Sequence, residues 1–459
     1  MYGFLPEAER ISPENPPKKS YICLTHKLRP MKKTILSALT ALLCLTAGAQ
    51  DNARGYYKDI FMDSGIMLNS RTDLPVTELL GLSMEAFVST KHSSTPPQHF
   101  TPADTLRQHE LIVGSPMDEN GILFYPDGAP RFRMIYVNGG KSANHARSMG
   151  EDGKQAYRDF ITAGGSYVGS CAGAFLASQG SRTPEGKLNY TKTYIGLWPG
   201  YTTGTKLEKS YTAVDIVPDG PLTRYFDFDG RMHIDSVRHN GGCFAHMEDA
   251  PAGTEVLATF STKGRELTRD IDGKPVIWAW KASPAAGRVL LCGSHPEGAY
   301  DAENLSLMAA MVRYALDGNG EPALKAVLQP GEAREMNDRT KPGFAPVGDR
   351  QYHHFRIDVP KGVGTMTIDL KGYVNVDDFD LHLFANRTGF AYREDATWGH
   401  VGANVDKSLE IKDPKPGTYY ISVFCATTVT ATTGKYGVEY SGRTDVLNGV
   451  PYIIQVTFE

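Results

Sequence analysis

The segment Gly164-Gly165-Ser166-Tyr167-Val168-Gly169-Ser170-Cys171-Ala172-Gly173-Ala174-Phe175-Leu176-Ala177-Ser178 constrains the fold of this chain more than any other. A strand-like run passes through Gly169-x-Cys171-x-Gly173 into a helical pattern. That change of direction needs a turn so tight that a Cβ on either glycine would clash. The side chain between the glycines projects from the turn at a helix N-terminus, where an anion, and so a thiolate, is favoured. The N–H of Ala172 would face an oxyanion formed by attack of that sulfur. Alone, the motif fits a buried structural cysteine beside a tight turn equally well.

Two further segments follow apolar strand-like runs. Ser294-His295-Pro296-Glu297 comes directly after Arg288 to Cys292. Strand ends in an α/β sheet are where active-site residues gather. His295 there could take a proton from Cys171 and return it to a leaving group, with Glu297 orienting the imidazole and stabilising its charged form. Tyr136-Val137-Asn138-Gly139-Gly140 ends a strand on two glycines, whose bare backbone N–H groups could complete an oxyanion hole. By themselves these read as a His-Pro turn and an ordinary turn after a strand.

Residues 55–318 alternate apolar strand-like runs with helical patterns. Ile60-Phe61-Met62, Leu111-Ile112-Val113, Met134 to Val137 and Val289 to Cys292 read as buried strands of a parallel sheet covered on both faces. Ala156, Tyr157, Phe160 and Ile161 form a helical stripe before Gly164, which suits a C-terminal cap. Leu305, Met308, Ala309, Val312 and Leu316 form another stripe, with Asp301 placed to cap it and Gly318 to close it. Residues 319–349 lose the pattern and read as a linker punctuated by Pro and Gly. From 350 to 459 the period is two, as in Met366, Ile368 and Leu370, or Tyr452, Ile454, Val456 and Phe458. This predicts a small all-β sandwich of roughly seven to nine strands. The expected architecture is therefore α/β followed by all-β.

The ordered Gly-Gly, Cys and His-Pro-Glu segments resemble the class I glutamine amidotransferase-like superfamily, across about residues 55–318. That resemblance implies a flavodoxin-like parallel sheet flanked by helices, with Cys171, His295 and Glu297 as the catalytic triad and Gly139 and Gly140 in the oxyanion loop. Gly196-Leu197-Trp198-Pro199-Gly200, Arg238-His239-Asn240-Gly241-Gly242 and Gly293 to Glu297 resemble, more narrowly, the biotin-protein ligase N-terminal domain family. No counterpart of the ligase part is recognisable, so biotin transfer is not implied. A Gly-x4-Gly-Lys-Ser/Thr loop is also missing from the sequence, and ammonia released from glutamine would have no acceptor. Hydrolysis of an amide or peptide bond in a small molecule or peptide is the expected chemistry, with no cofactor. The alternative is a non-catalytic periplasmic or surface ligand-binding protein on the same fold.

Met31-Lys32-Lys33 followed by the apolar run Ile35 to Ala47, with small residues at Ala47 and Ala49, has the pattern of a secretory signal peptide over 31–49, cut after Ala49. The run is too short for a membrane span, which needs about 20 residues. Leu43 stands where a lipoprotein signal before Cys44 would need a small residue. Residues 1–30 lie upstream of the signal, so Met31 is the expected start, and the mature protein is expected in the periplasm or secreted. The 459 residues have a formal net charge of -4, which argues against nucleic acid as main partner, and six cysteines are too few for a disulfide scaffold.

His239, Asn240 and Asn138 are expected to line the substrate pocket. His233, His239 and His246 with Asp235, Cys243 and Glu248 offer metal-ligand chemistry, but their spacing matches no compact metal motif and no metal is expected. Cys243 and Cys292 would either pair or stay as free core thiols, and Cys425 is expected in the core. Gly348 to Phe355 and Asp377 to Phe384 resemble the bacterial pre-peptidase C-terminal domain, which implies attachment, targeting or stabilisation of an enzyme, including attachment to the cell surface. Asp377, Asp378 and Asp380 could ligate Ca²⁺, or form a solvated acidic turn before a strand.

Overall fold

The computed structural model describes residues 54–459, except 90, 92, 97–100, 374–377 and 435–436. The expected signal segment 31–49, the stretch before it and Asp377 lie outside the described residues.

The chain opens with β1 (Lys58–Ser64), α1 (Pro75–Leu80), β2 (Met84–Val88), α2 (Pro102–Val113), β3 (Phe132–Val137), α3 (Ser142–Thr162), β4 (Ser166–Ser170) and α4 (Ala172–Ala177). A run of strands follows: β5 (Ser178–Arg182), β6 (Leu188–Tyr190), β7 (Trp198–Gly204), β8 (Ser210–Ile216), β9 (His233–His239), β10 (Cys243–Ala245), β11 (Glu255–Ser261), β12 (Pro275–Lys281) and β13 (Arg288–Cys292). Helix α5 (Ala302–Leu316) closes this part.

Nine of these strands form one sheet in the order β2-β1-β3-β4-β13-β12-β11-β8-β9, and the other four form a second sheet in the order β10-β7-β5-β6. Strands β2, β1, β3, β4 and β13 run parallel. Beyond β13 each pairing is antiparallel. The sheet is thus mixed where an all-parallel one was expected. The expected two-sided burial holds in the parallel half, and alternation along each strand causes it. Ile60, Met62, Met134, Tyr136, Val168 and Leu290 pack with Leu307, Met308 and Met311 of α5. Phe61, Ile135, Val137, Tyr167, Val289 and Leu291 pack on the other face with Met149, Tyr157 and Phe160 of α3.

Asp301 caps α5, accepting from Asn304 N at 3.0 Å. Leu111-Ile112-Val113, expected as a strand, is the end of α2. Thr101 and Asp104 form a capping box with Pro102 at the first turn, and that start signal carries the helix through the apolar triplet.

Residues 319–349 are not a free linker: β14 (Leu324–Val327) and β15 (Arg334–Met336) lie within them. Then come β16 (Tyr352–Val359), β17 (Thr365–Gly372), β18 (Leu381–Asn386), β19 (Trp398–His400), β20 (Lys407–Lys412), β21 (Gly417–Cys425), β22 (Thr430–Gly434), β23 (Gly437–Ser441) and β24 (Tyr452–Phe458). They form sheets of five strands (β14-β16-β21-β18-β19) and four (β15-β24-β17-β20), with β22 and β23 paired apart. Phe355 and Ile357 of one sheet and Met366, Ile368 and Ile454 of the other share an apolar core. Arg131, buried just before β3, reaches Asp349 through Nε and Nη2, each at 3.0 Å. This bidentate pair ties the β-rich part to the nine-stranded sheet.

Among the described residues no helix is long and apolar enough to cross a membrane.

Candidate active site

Strands β3, β4 and β13 are neighbours, and their carboxyl ends deliver Asn138-Gly139-Gly140, Cys171 and Ser294 to Glu297 to one place. All five residues of β4 are buried, so its exit is rigid. Cys171 leaves it at φ 46° and ψ -100°, a left-handed conformation that costs of order 1–3 kcal/mol in a non-glycine residue. Its N–H donates to Cys292 O at 2.8 Å, pinning the elbow to β13. The flanking glycines provide clearance. A Cβ on Gly169 would lie 2.6 Å from the Gly173 carbonyl carbon, and one on Gly173 would lie 2.3 Å from Val137 O. The strain sits on the cysteine itself, as in a nucleophile elbow. Helix α4 behind it has only six residues, so it is a short source of dipole. Ala172 N is among the first amides of that helix, which have no intrahelical acceptor.

His295 follows β13, its N–H held by Arg238 O at 2.8 Å. Its Nδ1 meets Glu297 Oε1 at 2.9 Å, while Nε2 is buried without a hydrogen-bond partner. Burial pulls this imidazole down, but Glu297 and then Cys171 outweigh it and push it up to about 10. Burial raises the Glu297 carboxyl, but His295 outweighs that and holds it below the usual range, with Arg71 adding to the effect. The pair is therefore imidazolium and carboxylate at neutral pH. Cys171 Sγ donates to Asn240 O at 3.9 Å, and the same sulfur also acts on the His295 ring.

Gly139 faces His295 directly: a Cβ there would lie 2.2 Å from the imidazole Cε1. Gly140, at φ 153°, packs on Met67 and Leu68, where a Cβ would lie 2.5 Å from Met67 O. The loop beneath is held by Asn69 N to Gly139 O at 2.7 Å and Lys141 N to Met67 O at 2.8 Å. A second pair anchors that loop. His145 Nδ1 meets Ile66 O at 2.8 Å and Nε2 meets Asp63 at 2.9 Å, with the Tyr157 hydroxyl donating to the same carboxylate oxygen at 2.6 Å. Both ring nitrogens face acceptors, so both carry protons. Burial opposes the charge on each partner, but the pair's attraction outweighs it: His145 is raised and Asp63 lowered.

A cavity of about 550 Å³ opens beside His295 and Glu297, lined also by Asn69, Arg71, Tyr211 and Arg238, with Asn240 from the expected set. The other two residues expected there are elsewhere. His239 is fully buried, with Nε2 on Thr212 Oγ1 at 2.6 Å. Burial, then His295, hold it down to about 3, so it is neutral. Asn138 is also fully buried and braces the loop through Ser64 Oγ at 3.0 Å and Asn69 O at 2.7 Å. Asn69, Arg71 and Tyr211 were missed because no motif marks them. Tyr211 is found only through register, paired across from Arg238.

The remaining candidates separate. His233 meets Asp215, His246 meets Thr203 and Arg182, and among the described residues no group of three or more His, Cys, Asp or Glu could hold a metal ion. Cys243, Cys292 and Cys425 are free and buried. Asp378 pairs with Arg443 at 3.1 Å, and Asp380 accepts from Asn404 N at 2.8 Å.

Residues 128–316 match the family model described as biotin-protein ligase, N terminal. That span holds every candidate residue from Asn138 to Glu297. An uncharacterized protein of Chlamydia muridarum (strain MoPn / Nigg) is 27% identical over 169 residues, 36% of this chain and 60% of that protein. The chain thus spans less than two thirds of that relative. Among solved structures, a glutamine amidotransferase is 18% identical, with 40% of this chain and 80% of that one covered at a TM-score of 0.27. The pre-peptidase C-terminal domain of a Bacillus anthracis collagenase is 10% identical, covering 30% of this chain and 100% of that one at a TM-score of 0.17.

Proposed function

We propose that this chain is an exported cysteine-dependent hydrolase of amide or peptide bonds, built on a glutamine amidotransferase-like domain. One observation carries the reading: an imidazole held at 2.9 Å by Glu297 keeps a buried, unpartnered Nε2 beside a strained cysteine. The Cys171 thiolate adds to the amide carbonyl carbon, and the N–H groups of Ala172 and of Gly139 or Gly140 receive the oxyanion. His295 Nε2–H gives its proton to the leaving nitrogen as the C–N bond breaks, which leaves a thioester. Water then adds to the thioester as His295 accepts its proton. The carboxylic acid leaves and the thiolate returns. Glu297 orients the ring and stabilises its charge throughout.

The strand order β2-β1-β3-β4-β13 supports a flavodoxin-like reading of the parallel half, whose ligands bind beyond the carboxyl ends of the strands. The five- and four-stranded sheets support a sandwich like a pre-peptidase C-terminal domain, serving attachment, targeting or stability. Export to the periplasm or beyond rests on the signal pattern of residues 31–49.

The test is a screen of amide and peptide libraries with wild type and Cys171→Ala. Turnover by the wild type alone is expected, and turnover that survives the substitution removes the thiol mechanism. The 3.9 Å approach of Cys171 Sγ to Asn240 O, which turns the thiol toward a backbone carbonyl, favours a second reading as a non-catalytic ligand-binding protein. Library compounds that bind in calorimetry with no turnover by either protein would support it.

A further inference from the structure

Behind the loop that carries Gly139 and Gly140 lie three polar side chains that the triad does not use. Asp63 of β1 and His145 and Tyr157 of α3 are fully buried. A straight helix would set residues twelve positions apart at about 18 Å. Helix α3 breaks at Gly150, with φ 69° and ψ -178°, and so His145 and Tyr157 reach the same oxygen of Asp63, at 2.9 and 2.6 Å. His145 Nδ1 then pins Ile66 O at 2.8 Å, and the other oxygen of Asp63 accepts from Gly65 N at 2.8 Å. The next residue, Met67, is buried at φ 68°, a left-handed conformation that costs of order 1–3 kcal/mol in a non-glycine residue. Lys141 N donates to Met67 O at 2.8 Å and Asn69 N to Gly139 O at 2.7 Å, which are the two bonds of the bridge between Leu68 and Gly140. With the Gly139 carbonyl held on that side, the planar trans peptide turns the Gly140 N–H to the opposite side. There it makes no hydrogen bond among the described residues.

We propose that Asp63, His145 and Tyr157 are positioning residues that hold the Gly140 N–H as the oxyanion donor opposite Ala172 N–H. The proposal rests on the hydrolase reading above. The strain at Met67 makes the loop depend on them. Without the pin on Ile66 O, Met67 relaxes toward an ordinary conformation, and the Gly139–Gly140 peptide turns with the bridge. An oxyanion donor acts only when aimed in advance at the place where the charge develops, so a small rotation there costs rate.

Two reactions at one sulfur test this without a known substrate. With p-nitrophenyl acetate, the Cys171 thiolate adds to the ester carbonyl and an oxyanion forms. The C–O bond then breaks, p-nitrophenolate leaves and a thioester remains. Iodoacetamide is attacked at its methylene carbon, iodide leaves and no oxyanion forms. The first rate is read from the p-nitrophenolate burst, with the Cys171→Ala background subtracted, and the second from the mass of the intact chain. Their ratio cancels changes in thiolate population and in access to the sulfur, which a merely structural role would alter. His145→Gln is expected to lower the ratio about tenfold or more, since loss of a whole oxyanion donor costs about 10²–10³. Tyr157→Phe keeps the ring in the core and removes only the hydroxyl on Asp63, and is expected to lower it about threefold. Should His145→Gln fail to fold, Tyr157→Phe decides alone. A ratio equal to that of wild type in the folded variants overturns the positioning role and leaves the hydrolase reading in place. A wild type whose Cys171 is alkylated by iodoacetamide but gives no burst overturns the hydrolase reading and this proposal together.

Discussion

Two buried histidine–carboxylate pairs stand near the carboxyl ends of the parallel strands, and they differ in what each leaves over. At His145 both ring nitrogens are engaged, and Asp63 also accepts from the Tyr157 hydroxyl and, at 2.8 Å, from Gly65 N. At His295 one nitrogen is engaged, and Nε2 and Glu297 Oε2 are buried without partners. Both pairs are charged, and both overcome burial to be so. A saturated pair can only hold its surroundings in place, here the loop under Gly139 and Gly140. An unsaturated one keeps a donor for something that arrives. In a low-dielectric interior an unpaired polar atom costs roughly 1–3 kcal/mol, and His295 bears that cost at the nitrogen it would use as an acid.

Exchanging the same substitution between the two pairs gives the largest contrast. His145→Gln strands Asp63 as a buried charge and is expected to cost about 3–5 kcal/mol in urea unfolding. His295→Gln should cost about 1–3 kcal/mol, because Glu297 keeps the field of Arg71 and faces a cavity open to water. Its effect is on chemistry: iodoacetamide labelling of Cys171 at neutral pH should fall about 10²-fold or more. Equal losses of stability with equal labelling would erase the distinction between the pairs.

Gly139→Ala brings the two regions into contact, because Gly139 rests on the loop below and against His295 above. A Cβ 2.2 Å from Cε1 must displace the ring or the loop. Wild type should lose about 1–3 kcal/mol of stability from overpacking, and Cys171 labelling should slow about tenfold. Placed on His295→Gln, the same change should slow labelling no further, and a double-mutant cycle reads that coupling. Undiminished slowing in the double variant would mean that the loop alone carries the effect.

What sequence reveals follows the same division. Cys171, His295 and Glu297 stood out as candidates because each lies in a short motif with fixed local spacing. Two-period and helical apolar patterns likewise exposed both halves of the chain. Tyr211, Asn69 and Arg71 left no such trace, since strand register and loop packing bring them to the cavity. His239 and Asn138 misled because polar residues beside a motif look like pocket groups, whereas both are fully buried here, with His239 Nε2 on Thr212 and Asn138 Nδ2 on Ser64. Residues 319–349 looked like a linker because β14 and β15 are only four and three residues long, too short to display a period. The antiparallel extension was hidden for a related reason: periodicity reports burial and is silent on strand direction.

The remaining effect is one of pH, and it isolates the unsaturated pair. Folded, His295 keeps its proton up to about pH 10, whereas its ordinary value is 6.5. Between those values the folded chain holds a proton that the unfolded chain has released, so stability falls as pH rises. The contribution is complete below 6.5 and is lost on approaching 10. Glu297 works in the opposite sense: its value is held below the ordinary 4.5, so its contribution is present above 4.5 and disappears as pH falls through the lowered value. The pair is therefore strongest between 4.5 and 6.5. His295→Gln removes this dependence and leaves His145 and Asp63 to titrate in both proteins, so their effect cancels in the difference. The stability advantage of wild type over His295→Gln, from urea midpoints, should be largest at about pH 5.5 and shrink steadily toward about pH 10. An advantage that grows with pH would mean that His295 is neutral when folded, and the imidazolium that the mechanism uses as its acid would be lost with it.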